Sequence, residues 1–388
     1  MFRSIFSRRK NMKFKIQKKY LLNSIQAVSN AISSRTVIPI LTGMKIDVLP
    51  TKIILTGSNS DMTIQSHIES VQDDEEIITN ITPGSIVLPV PHFPEIIKKL
   101  PENIVTISVE DNYKTVITSG KAVFTLYGQS SEEYPQIRMN EGEENLQINV
   151  KALKTLIKQT VFAVSPMETR PILTGVNVTT KNNLLTFTAT DSHRLALRSV
   201  PIETDLELNN TVIPGKNLQE LNKIYEDDDG MIHISFTENQ VLFHNNETYF
   251  LSRLLSGNYP ETSRLIPTES KTTIHTFTKD LIDTIERAAL LSNRDQNNVI
   301  RLDTIGKSAI EISSNSPEIG NVKEQLDVIS IEGEDLKISF SSRYMLDTLR
   351  TINSERVEIS FTGPMRPFVI RTPEEENILQ LILPVRTF

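Results

Sequence analysis

The sequence predicts an α+β fold made of three tandem copies of one β-rich unit, each with two helices. Three observations lead there. Segments return at a fixed interval, six stretches space their apolar residues as helices do, and the chain between them alternates in short runs.

The interval is about 125 residues. "IPILTGMKI" (38–46) returns as "RPILTGVNV" (170–178), and Tyr134-Pro135 returns as Tyr259-Pro260. "IVLPVPHFPEIIKKL" (86–100) returns as "TVIPGKNLQELNKI" (211–224) and, more loosely, as "ISFSSRYMLDTLRTI" (338–352). "LTGSNSD" (55–61), "FTATDSH" (187–193) and "ISSNSPE" (312–318) occupy equivalent places. Solenoid units are shorter, roughly 20–50 residues, so a few compact domains are expected here, not an array.

In chain order the helices fall in windows 18–33, 92–100, 150–165, 215–226, 278–293 and 341–352, each with apolar residues at i, i+3 or i+4, i+7 or i+8. Their centres are about 60 to 72 residues apart, which suggests six half-units of one helix each. Between them "KIILTGS", "TVITSG", "HISFTEN" and "VEISFTG" read as strands, punctuated by Gly, Asn, Asp and Pro. Polar, turn-rich stretches at 138–146 and 266–274 set the expected domains at 12–140, 141–268 and 269–388. Residues 1–11, "MFRSIFSRRKN", carry four bases and no acid. They lack the apolar core of a signal peptide and are expected to be a disordered extension.

The chain has no cysteine, which removes disulfides, thiolate nucleophiles and cysteine-bound metals together. No apolar run approaches the ~18 residues of a membrane span, so no membrane partner is expected. The net charge of −7 argues against nucleic acid, until its distribution is considered. The six helical windows hold thirteen bases and seven acids, a balance of +6, while the remainder carries −13. If the helices share a face, that face is positive on an acidic molecule. Its lysines would touch phosphates without reading bases.

Catalytic signatures are missing. Gly306-Lys307-Ser308 is the nearest fragment of a phosphate loop, but Arg301 stands where the first glycine is needed. His67, His92, His193, His233, His244 and His275 are scattered without metal-ligand spacing, and neither metal nor other cofactor is expected. The acidic runs Glu132-Glu133 and Asp227-Asp228-Asp229 read as solvated turns. Asp191-Ser192-His193-Arg194 lies between two strand-like runs and forms a hairpin tip. Neighbours on a turn cannot assemble a serine–imidazole–carboxylate relay. Turn chemistry accounts for Asp191 and Ser192. It leaves His193-Arg194 unexplained, and their counterparts, near Thr63-Ile64 and Glu318-Ile319, differ. A role specific to the middle copy follows.

The motifs "SSRTVIPILTG", "VFAVS…TRPILTG", "ATDSHRLAL", "SGNYPET", "ISSNSPEIG" and the ending "LILPVRTF" together resemble the bacterial sliding clamps. These are the beta subunits of DNA polymerase III holoenzyme, and the resemblance, to their Gram-positive branch, covers residues 12–388. It implies three clamp domains per chain and a head-to-tail homodimeric ring. Twelve helices would line a hole that holds duplex DNA by topology. It implies a non-catalytic processivity factor of the cytoplasm, associated with the nucleoid. Its partners would be double-stranded DNA, a second copy, the polymerase III catalytic subunit, the clamp loader, other polymerases, mismatch-repair proteins and ligase.

The resemblance also implies sites. A partner-peptide groove would be lined by Leu173, Thr190, His193, Arg194 and Leu195. Pro260, Arg264 and Leu265 would add a second wall, and Leu381, Leu383, Pro384, Val385 and Arg386 a third. His193, Arg194 and Arg386 would frame its mouth. DNA contacts would come from Arg35, Lys98, Lys99, Lys151, Lys154, Lys158, Lys216 and Lys223. Where some members carry an aromatic pair before the second "LTG", Pro171-Ile172 stands here. Ring closure would join Phe124 and Leu126 to Leu290 and Leu291. Two other classes stand beside it: a metal-dependent nuclease or nucleotidyltransferase using Asp61 and Asp191, and a scaffold that does not bind DNA. The two aspartates fall in separate repeats, and such enzymes need convergent carboxylates.

Overall fold

The computed structural model describes residues 11–72, 74–139, 145–226, 230–292, 298–316 and 319–386. The basic stretch 1–10, Asp227–Asp229, Glu318, Thr387, Phe388 and most of the first expected boundary lie outside the described residues.

Six α-helices form among the described residues, one in each expected window: α1 (Lys18–Ser29), α2 (Phe93–Lys99), α3 (Val150–Lys158), α4 (Gly215–Ile224), α5 (Thr278–Ala289) and α6 (Ser342–Leu349). Their ends have local causes. Asn149 starts α3 by accepting a hydrogen bond from the Lys151 amide, and Ser341 starts α6 by accepting one from the Tyr344 amide. Pro94 and Glu95 open α2, and Lys98 and Lys99 close it, in the order the helix dipole favours. The periodicity had suggested that α3 runs to residue 165. It stops at Lys158 because Thr160 turns its hydroxyl onto the Leu156 carbonyl and Gln159 turns inward to donate to the Thr351 carbonyl.

The chain divides into two compact units, 1–148 with 223–253 and 149–222 with 254–388. The first unit holds a five-stranded antiparallel sheet with Ala122–Tyr127 at one edge, and an eight-stranded sheet. The latter joins Thr248–Arg253, from the second copy, to Met62–Glu69, from the first. The second unit holds a four-stranded sheet edged by Gly320–Asp327, and a nine-stranded sheet. There Arg194–Pro201 pairs with Glu375–Ile382 of the third copy. Backbone pairing does not stop at the sequence repeat: the second copy gives strands to both neighbours.

The repeated "ILTG" has a steric cause. Pro39–Thr42 and Pro171–Thr174 form single 3₁₀ turns, each closed by its threonine hydroxyl on the proline carbonyl. The glycine then enters a strand against a close neighbour. A Cβ on Gly43 would lie 2.5 Å from Val87, and one on Gly175 would lie 2.6 Å from Val212. Only glycine permits that approach.

Candidate functional site

The hairpin between Leu184–Thr190 and Arg194–Pro201 is built by Asp191. One carboxylate oxygen accepts from the backbone amides of His193 and Arg194, at 2.9 and 3.0 Å. Ser192 takes a φ of +76° to complete the turn. The other oxygen accepts from Arg194 Nε at 3.0 Å. Asp191 is thus committed to structure.

Arg194 departs from the expected place at the mouth of a groove. It is only 6% exposed. Its guanidinium reaches Asp347 of α6 at 2.7 Å and the Phe162 carbonyl at 2.6 Å, between the rings of Phe162 and Tyr344. Five donors in a planar fork suit this arrangement, and a buried cation requires it. Phe162, Tyr344 and Asp347 were missed by sequence reasoning. The i, i+3 acid at Asp191 was visible, but the third-copy partner lies 153 positions away. The sequence counterpart of His193-Arg194 is also corrected: Asn59 builds the same turn in the first copy, which places Asp61-Met62 opposite them.

Leu195 and Leu381 are buried beside Val369 in a small cluster against which Ile266, Leu379 and Leu383 pack. Leu173 and Thr190 are buried as well, and the Tyr259 hydroxyl accepts from the Thr190 amide at 3.0 Å. Burial pushes the Tyr259 phenol well above its ordinary range, so it stays neutral as a hydrogen-bonding group. The chain end follows this cluster. Leu383 donates to the His193 carbonyl and Val385 to the Ser339 carbonyl. Leu383, Pro384 and Val385 are half-buried, while His193, Pro260, Arg264, Leu265 and Arg386 are exposed. The buried cluster of the second unit is thus flanked by the hairpin tip that carries His193 and by the half-buried stretch Leu383, Pro384 and Val385.

On α3, Lys151, Lys154 and Lys158 recur at three- and four-residue spacing opposite the buried Leu153, Leu156 and Ile157. Lys216 and Lys223 share a face of α4, Lys98 and Lys99 are exposed at the end of α2, and Arg35 is exposed beyond α1. On α5 and α6 the arginines are tied up: Arg287 with Glu324, Arg350 with Glu286, and Arg343 with Asp347. Lys18 donates to the Leu100 carbonyl.

Phe124 and Leu126 lie on the edge strand Ala122–Tyr127, where Val123, Phe124 and Tyr127 are exposed and Leu126 is half-buried. Leu290 caps the end of α5 and is 79% exposed. Arg287 clasps Glu324 and so ties that end of α5 to the edge strand Gly320–Asp327.

Three histidines are less scattered than their spacing implied. On one face of the eight-stranded sheet His233 stacks on His244, His244 on Tyr249, and His67 on Tyr249, with ring centroids 4.6–5.2 Å apart. Burial, helped by Lys52, lowers His67 to about 4, so it is neutral at pH 7. Among the described residues no three His, Asp or Glu side chains are grouped to hold a metal ion, and no helix is long and apolar enough to cross a membrane.

The chain matches the three domains of the DNA polymerase III beta subunit in order: N-terminal over 12–138, central over 147–261 and C-terminal over 263–386. The chain belongs to the beta sliding clamp family. The beta sliding clamp of Bacillus subtilis is 52% identical over 97% of this chain and all of that protein. That of Staphylococcus epidermidis is 46% identical over the same shares. A crystal structure of the Bacillus subtilis clamp superposes with a TM-score of 0.94, covering 98% of this chain and 100% of that one. The beta chain from Streptococcus pneumoniae does so at 0.93, with 38% identity, 97% of this chain and 100% of that one. The fold is thus three tandem clamp domains in a family of non-catalytic accessory subunits.

Proposed function

We propose that the protein is a processivity clamp that encircles duplex DNA as a head-to-tail dimer and tethers a replicative polymerase. The carrying observation is the match to all three domains in order. The domains divide near 12–140, 141–268 and 269–388. Each ring contact joins Ala122–Tyr127 of one protomer to Gly320–Asp327 of its partner. Two edge strands that would otherwise invite aggregation then become continuous sheet. Phe124 and Leu126 meet Leu290 and Leu291 beside that seam. Arg35, Lys98, Lys99, Lys151, Lys154, Lys158, Lys216 and Lys223 face the duplex.

Contacts to phosphate alone give weak binding that ignores sequence and allows sliding. Retention then comes from closure, and the acidic remainder disfavours DNA elsewhere on the surface. Lys154→Glu with Lys158→Glu is expected to shorten retention on nicked circular DNA after loading, with the dimer intact by light scattering. Equal retention of variant and parent would remove α3 from the DNA-facing surface.

The surface around the Thr190–Arg194 hairpin is the peptide groove for the polymerase catalytic subunit. The clamp loader, other polymerases, mismatch-repair proteins and ligase share it. Leu195, Leu381 and Leu383 make the floor, and His193, Arg264 and Arg386 the rim. Deleting residues 384–388 removes one wall and the Val385 bond to the Ser339 carbonyl, and leaves the strand Glu375–Ile382 whole. Melting temperature and dimerisation are expected to hold, while a hydrophobic polymerase-derived peptide loses all measurable binding by fluorescence anisotropy. Undiminished binding would displace the groove from this surface. The proposed location is cytoplasmic, on the nucleoid.

A further inference from the structure

We infer that the first copy carries a second docking groove, suited to an acidic hydrophobic peptide. The inference rests on the reading of the Thr190–Arg194 hairpin as a peptide groove. The two hairpins are the same device. Asn59 Oδ1 accepts from the amides of Asp61 and Met62 at 3.1 and 3.0 Å, as Asp191 does for His193 and Arg194. Ser60 has a φ of +79° and Ser192 of +76°. Arg253 donates its amide to the Asp61 carbonyl at 2.9 Å, as Leu383 does to the His193 carbonyl. The repeat therefore reproduces turn, register and neighbouring strand.

The contents differ. A cavity of about 470 Å³ opens beside the first-copy hairpin, within the range of sites that hold a few side chains. Leu41, Met62 and Leu251 form its buried floor, and Ile38 and Ile137 are partly exposed on its walls. Met62 stands where the second copy has the buried Arg194, so an apolar side chain replaces a guanidinium held by two carboxylates. At the mouth, the exposed Arg138 and Arg253 outnumber the single lining acid, Asp61.

That balance selects the occupant. The chain's own residues 1–10 offer Phe2, Ile5 and Phe6 but carry four bases, which a mouth with two arginines repels. The C-terminal stretch is engaged within the second unit, through Leu383 on the His193 carbonyl and Val385 on the Ser339 carbonyl. A separate peptide with apolar anchors beside a carboxylate matches floor and mouth together.

The test uses the full chain labelled at methionine methyls, with Met62 reporting on this cavity and the buried Met12 of the same unit, which does not line it, as the control. The probe is the peptide acetyl-Glu-Leu-Phe-Glu-amide. It should shift the Met62 methyl, in the parent and equally in the chain lacking 384–388. The lysine counterpart, acetyl-Lys-Leu-Phe-Lys-amide, should bind at least about tenfold more weakly by the same signal. Arg138→Glu with Arg253→Glu, both at exposed positions, should reverse that preference. An unmoved Met62 at millimolar peptide overturns the second groove, and equal response to both peptides overturns its charge selection. A Met62 shift that disappears on deletion of 384–388 assigns the signal to the other groove and also overturns it. Failure of that other groove alone leaves the Met62 shift in place while peptide anisotropy becomes insensitive to the deletion, so the two failures are distinguishable.

Discussion

Leu290→Ala combined with Leu291→Ala is expected to turn a stable dimer into folded monomers. Leu290 caps α5 and is 79% exposed in the single chain. Leu291 beside it is half-buried. The complementary edge strand shows Val123, Phe124 and Tyr127 to solvent, so both surfaces offer apolar area that a ring contact would cover. Truncating a leucine that is buried in the assembly costs ~2–5 kcal/mol. The symmetry of a two-fold ring places the same loss at both contacts. The monomer should retain its fold, because little of Leu290 is buried within one chain. Sedimentation velocity and thermal melting separate the two effects. A variant that remains dimeric at about micromolar concentration would move the interface away from the end of α5.

The sequence made the architecture readable because its repeat carries steric information. Gly43 and Gly175 recur because a strand passes within reach of where a Cβ would be, and Tyr134 and Tyr259 recur on equivalent segments. Apolar spacing located all six helices. It missed where α3 ends, because Thr160 and Gln159 make hydrogen bonds that no periodicity encodes. Pairing partners were not legible either. The strand Arg194–Pro201 meets Glu375–Ile382 across some 180 residues, so compact units and sequence repeats divide the chain differently. At the candidate groove, residue types were legible and depths were not. His193 and Arg194 are neighbours in sequence, yet strand alternation sends one to solvent and the other under α6. The stacked row of His67, Tyr249, His244 and His233 was hidden for the same reason, since cross-strand register alone brings it together.

Arg194→Ala is expected to lower stability by about 3–5 kcal/mol and to abolish peptide binding at the groove, although Arg194 itself lies beneath the surface. The guanidinium satisfies Asp191, Asp347 and the Phe162 carbonyl at once, and it fills the gap between Phe162 and Tyr344. Alanine leaves the Asp191 side chain, 7% exposed, without its cation, and leaves a void between two rings. Asp191 also holds the amides of His193 and Arg194, so relief of its charge by local opening disorders the tip that carries His193. Lysine should recover only part of the loss. It restores the charge, but its single ammonium cannot serve a carboxylate on each side and a carbonyl in one plane. Pairing Arg194→Ala with Asp191→Asn should recover more, because the amide keeps an acceptor for the turn and no buried anion remains. For a unit of this size the alanine variant should melt roughly 6–20 °C lower, at about 2–4 °C per kcal/mol. Calorimetry and peptide titration on the four proteins give the answer. A melting temperature unchanged in Arg194→Ala would mean that Asp191 and Asp347 are held by solvent, and that the hairpin needs no anchor to α6.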